Sequence, residues 1–123
     1  MSDALAVGLG GFVGAVARYF IGTWVAGRLG TGFPYGTFII NTTGCFFLGF
    51  LMGALEQNTL PPGVRLPVAV GFVGAYTTFS TYSYETLRLV ETGAITAAAT
   101  NVIGSNVVGL ISGLVGLAVG RAV

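Results

Sequence analysis

The chain has 123 residues, 54% hydrophobic and only 7% charged, against about a quarter charged in a soluble globular domain; this is the composition of a polytopic membrane protein. Its charge is five Arg and four acids, with no Lys, no His and no basic patch, which excludes binding to a nucleic-acid backbone. Without His, with scattered acids and with Cys45 as the lone cysteine, zinc chemistry, imidazole acid–base catalysis and an intrachain disulfide are excluded too.

A spanning helix needs about 20 apolar residues, and four such segments fit the chain as one domain over residues 1–123. Met1-Ser2-Asp3 carries no basic n-region, so the first span is expected to stay in the mature protein. That span runs from about Ala4 to Ala26 and carries Gly10 and Gly14 four residues apart. Arg18 lies deep in it; an intramembrane Arg either snorkels to the headgroups or serves a structural or vestibular role.

The Gly/Pro-rich turn Gly27–Pro34 leads to a second span from about Tyr35 to Leu55, with Gly49 and Gly53 again four apart. Asn41 sits inside this span. An amide in hydrocarbon wants partners, so Asn41 is either helix–helix glue or a neutral donor facing an ion. Cys45 reads as a small buried filler.

After Glu56–Gly63 comes a third apolar segment, from about Val64 to Val90, and this one is unusual. Its centre reads Gly71-Phe72-Val73-Gly74-Ala75-Tyr76-Thr77-Thr78-Phe79-Ser80-Thr81-Tyr82-Ser83. Gly71 and Gly74 permit non-helical backbone, and the hydroxyls can cap the groups so freed. The expectation is a membrane helix broken near the midplane, where ion sites recur. Phe79 and Tyr82, three apart, share a face and either pack or offer ring edges to an anion. Glu85 lies near the end of the segment and is placed to partner Arg18.

Glu91-Thr92-Gly93 links to a fourth span from about Ala94 to Val119. Asn101, Ser105, Gly109 and Ser112 fall on one face of it, with Asn106 off that face. Such a stripe of neutral donors can strip water from a small anion without trapping it. Gly109, Gly113, Gly116 and Gly120 form a ridge, and small residues of this kind bring membrane helices into close contact.

Four short spans are too thin to enclose a pathway, so a second copy is expected. Arg65 and Arg121 lie at the end of the termini, Arg28 and Arg88 at the other; this balance hardly specifies orientation, as in a protein that inserts both ways and pairs antiparallel. No Ser-His-Asp set, close carboxylate pair or phosphate loop is present, so no enzyme is indicated.

Taken together, Gly10-Gly11-x-x-Gly14-Ala15-x-x-Arg18-Tyr19, Tyr35-Gly36-Thr37-x-x-x-Asn41, Gly71-x-x-Gly74-x-x-Thr77-Thr78-Phe79-Ser80-Thr81 and Asn101-x-x-x-Ser105 resemble the Fluc/CrcB fluoride channels over nearly the whole chain. The resemblance implies an all-α, antiparallel dual-topology homodimer of the microbial plasma membrane that passes fluoride passively and protects the cell from it. It implies a structural sodium ion at the dimer centre, held by backbone carbonyls at Gly74 and Thr77. It places Asn41, Phe79, Tyr82, Asn101 and Ser105 along the anion path. Two positions depart from the family pattern: Gly109 offers no side-chain donor on the fourth-helix track, and Tyr82 stands where Phe is usual. The competing readings are a small four-helix multidrug or cation exporter, which needs an acid in its first span where this chain has none, and a non-transporting structural membrane protein, which needs no polar track.

Overall fold

The computed structural model describes residues 1–123. It is all-α, with five helices. Helix α1 (Asp3–Leu29) starts where the Ser2 hydroxyl accepts the Leu5 N–H at 3.2 Å, with Asp3 and Arg28 complementing the helix dipole at its two ends. It runs one turn beyond the expected end at Ala26 and stops at Gly30, whose φ of 78° is left-handed backbone that glycine adopts freely. Helix α2 spans Tyr35–Glu56.

The third apolar segment is not one helix. After a single tight turn at Pro62–Val64 it forms α3, composed of a π-helical stretch Arg65–Val73 and an α-helical turn Gly74–Tyr76. The wide winding is visible at Gly74, whose N–H donates to the Ala69 carbonyl five residues back. The chain then extends through Thr77 (ψ 156°) and Thr78 (φ −149°, ψ 119°) before α4 (Phe79–Glu91) begins. Gly93, with φ 81°, turns the chain into α5 (Ile95–Ala122). Helices α1, α2 and α5 are each long and apolar enough to cross a membrane, and the protein is a multi-pass membrane protein.

The break falls three residues later than the expected site at Gly71 and Gly74. Both glycines stay helical, and Gly71 serves close packing instead. A Cβ there would lie 2.6 Å from the Val7 carbonyl oxygen and 3.1 Å from the Gly10 Cα on α1. Gly10 and Gly14 reciprocate, with their open faces against the backbone of Pro67 and Phe72. The second close seam joins α2 to α5 and is the broadest helix interface in the chain. Gly49 and Gly53 of α2 lie against Leu117, Gly113 and Gly120, while Gly116 and Gly120 of α5 lie against the Phe46 and Phe50 carbonyls. The tight part of the α5 ridge is its last two glycines; Gly109 and Gly113 leave 3.6 Å to Cys45. At the foot of this seam Arg121 Nε donates to Glu56 at 2.7 Å.

Only 16 of 123 residues are buried, so these seams leave wide apolar faces outward. Phe12, Phe20 and Trp24 of α1 and Ile103, Leu110 and Leu114 of α5 are among them, and lipid or another chain must cover these. Gly120→Ala should push a methyl group into the Phe50 carbonyl and part α5 from α2, at a cost of about 1–3 kcal/mol. Gly104→Ala, which meets nothing within 4 Å, should hold or raise the melting temperature of the detergent-purified protein, since Ala is the better helix former.

Candidate functional site

The break leaves backbone groups that a continuous helix would have paired, and in hydrocarbon these need partners. Asn41, on α2, supplies them. The Thr78 N–H donates to Asn41 Oδ1 at 2.8 Å, and Asn41 Nδ2 donates to the Thr78 carbonyl at 2.9 Å. One side-chain amide thus closes both ends of a peptide residue that is 8% exposed. The threonines complete the closure. Thr77 donates its N–H and its hydroxyl to the Val73 carbonyl, each at 3.0 Å, which caps α3. Thr78 Oγ1 accepts the Thr81 N–H at 3.2 Å and starts α4. Tyr76 is held by a 2.9 Å hydrogen bond to Thr43 and by stacking on Phe72.

Two clefts meet at Thr78, which lines both. The first, of about 490 Å³, is walled by α1, α2 and α4 and includes Arg18, Tyr19, Thr37, Thr81 and Glu85. The second, of about 280 Å³, includes Asn41, Cys45, Phe79, Tyr82, Ser105 and Asn106. The first holds one charge of each sign; the second holds no Arg, Asp or Glu. Arg18 and Glu85 share the first cleft but make no ion pair. The expected pairing is replaced by a hydrogen bond from the Thr37 hydroxyl to the Glu85 carboxylate, because α2 brings a hydroxyl to Glu85 from the adjacent wall.

Phe79 is 79% exposed in the single chain, its ring tilted against Tyr82 with centroids 5.5 Å apart. The α5 stripe divides by task. Asn101, 2% exposed, donates to Thr86 Oγ1 at 2.9 Å and accepts the Ser105 hydroxyl at 3.2 Å, fastening α4 to α5. Ser112 donates to the Thr42 carbonyl at 2.8 Å and fastens α5 to α2. Ser105 alone of the stripe's side chains reaches the second cleft. Gly74 opens the helical turn before the break and Thr77 follows it; the Thr78 N–H, which a continuous helix would give to the Gly74 carbonyl, goes to Asn41 instead.

Sequence reasoning missed Thr78, Thr37 and Asn106. Thr78 stood in a run of similar hydroxyls, and nothing local singled it out as the residue Asn41 would grip. Asn106 lies next to Ser105, rotated off the chosen face; an amide on an otherwise apolar helix was the available signal.

The sequence that builds this arrangement has counterparts among known proteins. A family model described as CrcB-like protein, Camphor Resistance (CrcB), matches residues 5–117. The chain belongs to the CrcB family. Similar CrcB-family relatives carry the name fluoride-specific ion channel FluC. That of Acidobacterium capsulatum is 47% identical over 118 residues, covering 95% of this chain and 94% of that protein. That of Trichormus variabilis is 47% identical over 119 residues, covering 95% and 87%. That of Chloroflexus aurantiacus is 44% identical over 122 residues, covering 98% and 97%.

The Asn41 bridge yields a direct expectation for this CrcB chain. Asn41→Leu leaves the Thr78 N–H and carbonyl unpaired, at about 1–3 kcal/mol for each buried group. Hydrogen exchange should accelerate at Thr78 and the residues beside it, with a lower melting temperature. Protection equal to wild type would show that the amide does not hold the break.

Proposed function

We propose that the chain is a passive, fluoride-selective channel that lets fluoride leave the cell across the plasma membrane, the inner membrane in a Gram-negative host. The observation that carries this reading is the charge-free cleft at the Asn41–Thr78 bridge, in a chain whose CrcB-family relatives are named fluoride-specific channels. Fluoride is small and strongly hydrated, so its shell must be replaced in steps by neutral donors. A fixed cation beside the path would trap it, and a fixed anion would repel it. Asn41 spends one N–H on Thr78 and keeps the other. Phe79 offers the positive edge of its ring. Tyr82 and Ser105 complete the wall, with Asn101 behind Ser105. The first cleft, with Arg18 and Glu85 at its wall, serves as the vestibule.

In this reading α3 and α4 together make the broken third of four spans, and the working unit is an antiparallel, dual-topology homodimer. Support comes from the balanced arginines and from the second cleft, whose residue Phe79 stands open on the single chain. A second copy would close that side. Sodium fits at the break. The Gly74 carbonyl has lost its helical donor, the Thr78 N–H, to Asn41, carbonyl oxygens suit a hard monovalent cation, and no carboxylate there calls for a divalent one. Its charge would hold the two breaks together, and its gradient would not be consumed.

Liposomes containing the purified protein should release fluoride and retain chloride. Phe79→Ile keeps apolar bulk and removes the ring edge; it should cut fluoride flux by roughly tenfold, equivalent to about 1.4 kcal/mol of barrier, in a protein that still purifies folded. Wild-type flux in that variant would mean Phe79 is packing and not pathway. The dimer and its ion are testable in one preparation. With Cys45→Ser, a single cysteine placed by Ser2→Cys should label from both membrane faces. Replacing sodium by N-methylglucamine should lower the melting temperature. One-sided labelling would remove the antiparallel arrangement, and indifference to sodium would remove the ion.

A further inference from the structure

In the second cleft some protons are already committed to partners within the chain and others are free. Thr77 has given its hydroxyl proton to Val73, Thr78 to Thr81, and Ser105 to Asn101. Asn41 has given one of its two N–H groups to Thr78. That leaves the second N–H of Asn41 and one further strong donor, the phenol of Tyr82.

The state of that phenol is set by Asn106. Asn106 Nδ2 lies 2.8 Å from the Val102 carbonyl and 3.3 Å from the Tyr82 hydroxyl oxygen. A carbonyl only accepts, so the Val102 contact fixes which end of the amide is nitrogen. The nitrogen therefore faces Tyr82, and the phenol oxygen must accept. No acceptor in the chain takes the phenol proton in return. Both residues lie on the wall of the second cleft, beside Asn41 and Phe79.

We propose that Tyr82 and Asn106 form an anion-binding pair for a small hard anion, in which Tyr82 delivers its O–H to the ion and Asn106 is the positioning residue that holds the phenol oxygen as acceptor. The proposal deepens the channel reading and rests on it. An accepted hydrogen bond polarises the phenol and strengthens the bond it donates, and a donor to an anion is worth more than one to a neutral group. A ring edge in the same place lacks this directionality and strength. The pair thus deepens the binding well, so this chain should saturate at lower fluoride than a variant with Phe at that position, and release the ion more slowly.

Fluoride efflux from liposomes is measured across fluoride concentration for wild type, Tyr82→Phe, Asn106→Leu and the double variant. Tyr82→Phe should raise the half-saturating concentration by about tenfold while maximal flux is kept or rises. Asn106→Leu should shift it in the same direction by less, and the double variant should match Tyr82→Phe alone, because Asn106 acts through the phenol. The fluoride-dependent rise in melting temperature of the detergent-purified protein reports binding without transport, and should shrink in the same order. Unchanged half-saturation in Tyr82→Phe, or additive shifts in the double variant, would overturn the pair. A wild-type protein that carries no fluoride at all would instead overturn the channel reading, and the pair with it.

Discussion

A single amide holds the centre of this molecule. Where the third apolar segment leaves helical geometry, the N–H and carbonyl of the buried Thr78 would lose their helical partners. Asn41 closes both from the neighbouring helix, at 2.8 and 2.9 Å. The exchange works because a side-chain amide carries a donor and an acceptor in the same plane, as a peptide group does. Without it the local alternative is a bond from Thr78 back to Gly74 and a continued helix. The bridge therefore decides that α3 and α4 are separate, that Thr78 can cap α4, and that two clefts meet at one residue.

That bridge depends on two glycine seams. Asn41 can reach Thr78 only if α3 is pressed against α1 while α2 is fixed against α5. Gly10, Gly14 and Gly71 set the first approach, and Gly49, Gly53, Gly116 and Gly120 set the second. In lipid there is no hydrophobic drive between helices, so close backbone contact must supply the association. The same glycines that weaken these helices as isolated segments are what lets them assemble.

The electrostatics follow a division of labour. The charged residues stand in the wider cleft or at helix ends, where Glu85 is engaged by Thr37 and Glu56 by Arg121. The narrower cleft is lined by amides, hydroxyls and rings. Most of its hydroxyl protons are spent on local partners three or four residues away, as Ser105 is on Asn101 one turn back along α5. A residue can thus line a cleft and still present little to it. The polar residues of the fourth apolar segment serve assembly at Asn101 and Ser112 as much as they serve the cleft.

Much of this was legible in the sequence. Apolar run length gave the membrane class, glycine spacing gave the seams, and the hydroxyl run gave the existence of a break. The motif set gave the CrcB family. These are one-dimensional signals, because span length, a residue repeat every four positions and a local loss of helical propensity are all properties of the chain itself. The placement of the break was not such a property. Gly71 and Gly74 were the weakest helix formers, yet both stay helical, and at Gly71 α1 occupies the space the missing side chain leaves. The chain parts instead at Thr77 and Thr78, where Asn41, 37 residues away, outbids the helix for the Thr78 N–H. The partners of Glu85 and of Tyr82 were likewise decided by neighbouring walls, Thr37 from α2 and Asn106 from α5. Sequence determines which groups need a hydrogen-bond partner; only the packed tertiary structure brings one helix's amide to another's backbone and so decides which partner each receives.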